Sequence, residues 1–166
     1  MTVIFCHGLE SGPHGRKYHA LVGAGFDVQS PDFRGQSLAA RVTTLAPVLR
    51  AAANPVVVGS SYGGITALCA AIQHVEAGGA LCGLVLCAPA LGRFEPPADG
   101  MRLYPPAPTI IIHGRNDDVV PVRVSEDFAA EHPQVKLVLV DDEHTLAGSL
   151  DLIIAATRSL VDGVPT

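Results

Sequence analysis

Charge is scarce in this sequence: Asp, Glu, Lys and Arg make up 16% of its 166 residues, while 48% are hydrophobic. Disorder requires the opposite balance, so it is excluded as a global description. The formal charge is −5 and no Lys/Arg cluster is present, which argues against nucleic acid as a partner. Cysteine is present but unorganised. Cys6, Cys69, Cys82 and Cys87 form no CxxC pair or regular framework and all lie in apolar runs, so buried, reduced thiols are expected. No basic n-region or cleavage site accompanies the apolar run after Met1, and no signal peptide is expected. The most apolar stretch, Ala77 to Gly92, is broken by Gly78, Gly79, Gly83 and Pro89, well short of the ~18 residues of a membrane span. The phosphate-loop pattern GxxxxGK[ST] fails, because Arg16 precedes Lys17 and Tyr18 follows it, and no strand leads into GxGxxG. His14, His19, His74 and His132 lack metal-ligand spacing. These absences leave a soluble, cytoplasmic protein without metal or cofactor, membrane or nucleic-acid partner.

What is present is an alternation. The length suits one domain, at roughly 100–200 residues each, spanning residues 1–166. Thr2–Cys6, Phe26–Gln29, Pro55–Val58, Leu81–Cys87, Thr109–Ile112 and Val135–Val140 read as strands. Val56–Val58, Ile110–Ile112 and Leu137–Val140 are continuously apolar, as in strands covered on both faces. His14–Val22, Ser37–Ala52, Gly63–Glu76, Val122–Glu131 and Thr145–Val161 read as helices. Such alternation predicts right-handed crossovers and a three-layer α/β/α sandwich around a mostly or fully parallel sheet of about six strands. Ala88–Pro108, with six prolines, reads as a long loop.

Ligands of open α/β sheets bind beyond the carboxyl ends of strands, so the residues after each apolar run deserve scrutiny first. After Val56–Val58 comes Gly59-Ser60-Ser61-Tyr62-Gly63, a GxSxG between strand and helix. In that setting the central serine, Ser61, sits on a sharp turn that lifts its hydroxyl clear of the sheet, and crowding demands small flanking residues. The same turn aims the Tyr62 amide at developing negative charge. A serine hydroxyl needs a base, and the base needs an acid to hold its tautomer. Two later strand ends provide both types, Asp117 and Asp118 after the fifth run, then His144 after the sixth.

With these motifs in order, the chain resembles the α/β-hydrolase superfamily over nearly its whole length. The family's H-G-x-x-D-x-x-V-P segment matches His113 to Pro121 and implies Asp117 as the acid; its histidine before the last helix maps to His144. Its early H-G loop maps to His7-Gly8, which implies the Leu9 amide as a second oxyanion donor beside Tyr62. The chain looks like a small bacterial, carboxylesterase-like member without the first two strands and without a cap. The resemblance implies a serine hydrolase acting on a small acyl ester through a covalent acyl-enzyme, with a thioesterase or peptidase as the alternative. A non-catalytic binding protein of the same fold is the rival from another class.

Other residues carry expectations too. His7 and His113 read as structural imidazoles packed at strand ends. Glu10 and Ser11 lie in the oxyanion loop and either touch substrate or are simply solvated loop residues. Leu91, Phe94, Met101, Leu103 and Tyr104 either wall a shallow pocket or seal the core beneath their loop.

Overall fold

The structure is a computed structural model and describes residues 1–163, so residues 164–166 of the expected domain lie outside it. Among the described residues the order is β1 (Thr2–Cys6), α1 (Arg16–Gly23), β2 (Asp27–Gln29), α2 (Leu38–Ala51), β3 (Val56–Ser60), α3 (Tyr62–Glu76), β4 (Gly83–Cys87), β5 (Thr109–Gly114), α4 (Arg123–Glu131), β6 (Lys136–Val140) and α5 (Leu150–Val161). The six strands form one all-parallel sheet in the order β2-β1-β3-β4-β5-β6.

Strand alternation sorts the core into two halves. Ile4, Cys6, Val57, Leu84, Leu86 and Ile111 face one side, where they meet Leu38, Val42, Leu45 and Leu49 of α2, Ile65 and Leu68 of α3, and Phe128 of α4. Val3, Phe5, Val56, Val58, Val85 and Cys87 face the other, against Leu21 of α1 and Ile153 and Leu160 of α5. Each fully buried Leu, Ile or Val is worth roughly 1.5–3 kcal/mol over an exposed one, so both helical layers are held mainly by these contacts. This is the expected three-layer sandwich. Of the three continuously apolar runs, that of β6 departs from full burial: the strand lies at an edge, and Leu137 to Val140 are only half-buried.

Two segments differ in detail from the sequence expectation. Helix α5 begins at Leu150 rather than Thr145. The Asp142 carboxylate accepts from the Glu143 and Gly148 amides and the Ser149 hydroxyl, which holds the intervening chain as a loop. The 88–108 segment contains one 3-10 turn at Ala98–Gly100. Leu91 is buried, while Met101, Leu103 and Tyr104 pack on the core; only Phe94 stands clear, at 81% exposure. Four of the five apolar residues therefore seal the core.

Strand order reverses between β1 and β3: the chain leaves β1 toward β2, then crosses back to β3 and continues outward. The crevice at such a switch point is open at the carboxyl ends of the strands. The loops after β1 and β3 meet there.

Candidate active site

The turn from β3 into α3 is built by close approach. A Cβ on Gly59 would meet the Gly63 carbonyl oxygen at 2.5 Å, and one on Gly63 would overlap the Cys6 carbonyl oxygen. Only glycine fits at either position, which explains the small residues on both sides of Ser61. Ser61 itself has φ 55° and ψ −115°, a strained conformation for a residue with a side chain. It is held there by its own amide, which donates to the Cys87 carbonyl at 2.9 Å, and by the Ala90 amide, which donates to its carbonyl at 3.0 Å.

Asp117 and His144 reach this serine from the ends of β5 and β6. The His144 Nε2 lies 2.9 Å from Ser61 Oγ, and its Nδ1 lies 2.7 Å from Asp117 Oδ2. A carboxylate only accepts, so Nδ1 carries the proton and donates it to Asp117. In neutral imidazole this leaves the Nε2 lone pair facing the hydroxyl, where it can take the hydroxyl proton. The Asp117 side chain is wholly buried, and its Oδ1 accepts from the Val119 and Val120 amides, each at 2.8 Å. Burial alone would raise its pKa. The His144 hydrogen bond and the two amides outweigh that and hold the carboxyl below its ordinary value. Asp118, its neighbour, is exposed.

The loop that carries His144 is tied down on both sides. Lys17 Nζ donates to the Thr145 carbonyl at 2.6 Å, and the Arg115 amide donates to Val140 at 2.8 Å. Asn116 adds a side-chain bond from Nδ2 to Asp141 Oδ1 at 2.8 Å.

Two buried histidines support the site from behind. His113 Nε2 donates to the Val120 carbonyl at 2.9 Å and lies 3.1 Å from Asp117 Oδ2, while Nδ1 is 2.7 Å from Ser125 Oγ. His7 Nε2 accepts from the Phe33 amide at 2.9 Å, and Nδ1 donates to the Gly8 carbonyl at 2.8 Å. Burial is the largest influence on His7 and holds its pKa below the usual imidazole value. Both rings are saturated with structural partners.

The loop from His7 to Leu9 packs onto the nucleophile turn: a Cβ on Gly8 would stand 3.7 Å from Ser61 Cβ and 3.5 Å from Ser11 Oγ. Leu9 is half exposed, and Glu10 and Ser11 are exposed. Ser11, Gly12 and Lys17 face Ser60 and Thr145 across a cavity of about 310 Å³, which the chain neighbours of Ser61 and His144 line but those two residues do not. A larger groove of about 650 Å³ runs between the 88–108 segment and α4, lined by Leu91, Phe94, Met101, Val124 and Phe128. Tyr104 is outside it and donates to Glu76 at 3.3 Å. Ser61, Asp117 and His144 do not line this groove. Among the described residues no three His, Cys, Asp or Glu side chains group as a metal site.

Arg41 lies buried behind the His7-Gly8 loop, and the sequence alone did not single it out. It lies on the apolar stripe of α2 between Leu38 and Leu45, a charge where the helical period calls for a hydrophobe. That misplacement was the available signal. Its guanidinium donates to the His7 carbonyl at 2.8 Å and the Gly8 carbonyl at 3.3 Å, and lies 4.5 Å from the centre of the Tyr62 ring.

A parallel α/β sandwich with a strained serine between strand and helix, contacted by a histidine from the last strand, defines a class. That class is the alpha/beta hydrolase fold. The chain belongs to the alpha/beta hydrolase family, which it matches over residues 3–163. A protein of the alpha/beta hydrolase superfamily from Xanthomonas campestris pv. campestris is 25% identical, with 98% of each chain covered and a TM-score of 0.81. Est1E from Butyrivibrio proteoclasticus shares 20% identity over 98% of this chain and 87% of its own, at TM-score 0.78. The monoacylglycerol lipase of Paleococcus ferrophilus shares 18% over 97% and 94%, at TM-score 0.72. Among curated proteins none matches the chain.

Proposed function

We propose that this protein is a serine hydrolase that cleaves small carboxylic esters through an acyl-enzyme. The observation that carries the reading is the unbroken hydrogen-bonded chain from Ser61 Oγ through His144 to Asp117. Ser61 attacks the ester carbonyl as His144 Nε2 takes its proton; the Leu9 and Tyr62 amides receive the oxyanion. His144 returns the proton to the departing alcohol, and water then repeats the sequence to free the acid. Asp117 orients the imidazole and stabilises its charged form. Two similar structures point toward esters as the substrate class: Est1E, also solved with ferulic acid bound, and the monoacylglycerol lipase. The thiols of Cys6, Cys69, Cys82 and Cys87 are all free, which supports a reducing, cytoplasmic setting.

The test is a hydrolysis screen over esters, thioesters and amides, run with Ser61→Ala as control. Esters should be turned over best, and the variant should retain its fold and lose roughly 10⁴-fold or more in kcat. Thioester or amide preference would shift the substrate class. Ser61→Ala retaining more than about a tenth of wild-type turnover would remove Ser61 from the role.

A further inference from the structure

Arg41 is fully buried and forms no ion pair among the described residues, and its Nε has no hydrogen-bond partner there. Taking a guanidinium out of water without a direct ion-pair partner is costly, the Glu95 carboxylate beyond the Tyr62 hydroxyl offsets only part of that cost, and the core of α2 does not require the charge. Leu38, Val42, Leu45 and Leu49 already form the apolar stripe that packs on the sheet. What the guanidinium does is bind two consecutive carbonyls, those of His7 and Gly8, while its Cζ lies over the Tyr62 ring, 4.5 Å from the ring centre. A second cation, Arg93, sits 5.2 Å from the centre of the same ring, and the Tyr62 hydroxyl donates to Glu95 at 2.9 Å.

These contacts converge on the two amides assigned above to the oxyanion. Leu9 follows the clamped His7-Gly8 pair directly, and Tyr62 carries its amide on the residue whose ring the guanidinium supports. The two loops come from different strands, β1 and β3, and their relative spacing is not set by either alone. We propose that Arg41 is a positioning residue for the oxyanion hole, one side chain fixing the spacing between the Leu9 and Tyr62 amides. This rests on the hydrolase reading and goes beyond it. Oxyanion donors work only when aimed at where the charge develops, so a small displacement affects the transition state more than the bound substrate. The fork of Arg is suited to two adjacent carbonyls, and an ammonium cannot reproduce that planar geometry.

The experiment compares wild type, Arg41→Met and Arg41→Lys on one ester, with a phenylboronic acid as an analogue of the tetrahedral intermediate. Fluorophosphonate labelling of the wild type comes first. Folded Arg41→Met should lose about tenfold to a hundredfold in kcat, with KM changed by less than about threefold. The boronate inhibition constant should weaken in step with the loss in kcat/KM, and Arg41→Lys should recover only part of it. A folded Arg41→Met with kcat and boronate affinity within about twofold of wild type overturns the proposal. So does a rise in KM alone, which would place Arg41 in ground-state binding. A wild type that neither labels nor turns over esters overturns the hydrolase reading and this inference with it. Should both variants unfold, the wild-type protein still decides. Saturating boronate should shift the Arg41 guanidinium nitrogen resonances and leave those of Arg50, exposed in the last turn of α2, in place; unmoved Arg41 resonances overturn the proposal.

Discussion

Asp117 divides its work between two oxygens. Oδ1 takes the Val119 and Val120 amides, and Oδ2 faces both His144 and His113. Nothing in that arrangement is available to Asp118, which points to solvent. Asp117→Asn keeps the shape but offers Nδ1 of His144 an amide where it needs an acceptor, so the wrong tautomer is favoured. The expected loss in kcat is about 10⁴-fold, while Asp118→Asn stays near wild type. Steady-state kinetics on the two folded variants checks this; the reverse ranking would move the acid. At this scale Ser61, Asp117 and His144 were legible because each follows an apolar run that ends at the same edge of the sheet. Arg41 was not singled out, because one arginine in a helix is ordinarily solvated and its partners are backbone carbonyls that composition does not reveal. Lys17 escaped for the same reason: its acceptor is the carbonyl of Thr145, far away in sequence.

Elements were readable where chemistry was redundant and misread where one side chain decided. The β-branched runs Val56–Val58 and Ile110–Ile112 form strands, as their continuity predicts. The start of α5 was misplaced because Leu146 extends the helical spacing backward, whereas Asp142 holds residues 143–149 in a loop. That loop positions His144, so Asp142→Asn should cost about tenfold to a hundredfold in kcat with all three residues of the proposed triad unchanged. The Ser149 hydrogen bond, with help from the Glu143 and Gly148 amides, keeps the Asp142 carboxyl below its ordinary pKa despite partial burial. A depressed folded-state pKa adds stability that is complete above the unfolded value, about 3.9, and disappears as pH falls through the folded one. Urea midpoints should therefore be lower for Asp142→Asn at pH 7, and the gap should narrow below about pH 4. A gap that widens on acidification would contradict the assignment.

In the molecule as a whole, the switch point between β1 and β3 brings together loops that are more than fifty residues apart in sequence, and only the sheet order makes that visible. The alternation in the sequence implied parallel strands but not which strands are neighbours. The 88–108 segment mostly seals the core, and the cavity lined by Ser60 and Thr145, the chain neighbours of Ser61 and His144, is about 310 Å³. Each methylene that finds a buried place gains about 0.8 kcal/mol, and the gain stops where the acyl chain leaves the cavity. Among p-nitrophenyl esters kcat/KM should peak at about two to six acyl carbons and then fall or level off. A steady rise toward long chains would mean that the larger groove along α4 joins the site.

The central claim, that Ser61 is an activated nucleophile, is tested most directly by stoichiometric labelling with a fluorophosphonate followed by peptide mass spectrometry. One phosphonyl group per chain on Ser61, absent in Ser61→Ala, is the predicted result. A folded wild-type protein that stays unlabelled, or that takes the group on Ser60 while Ser61 remains free, would contradict it.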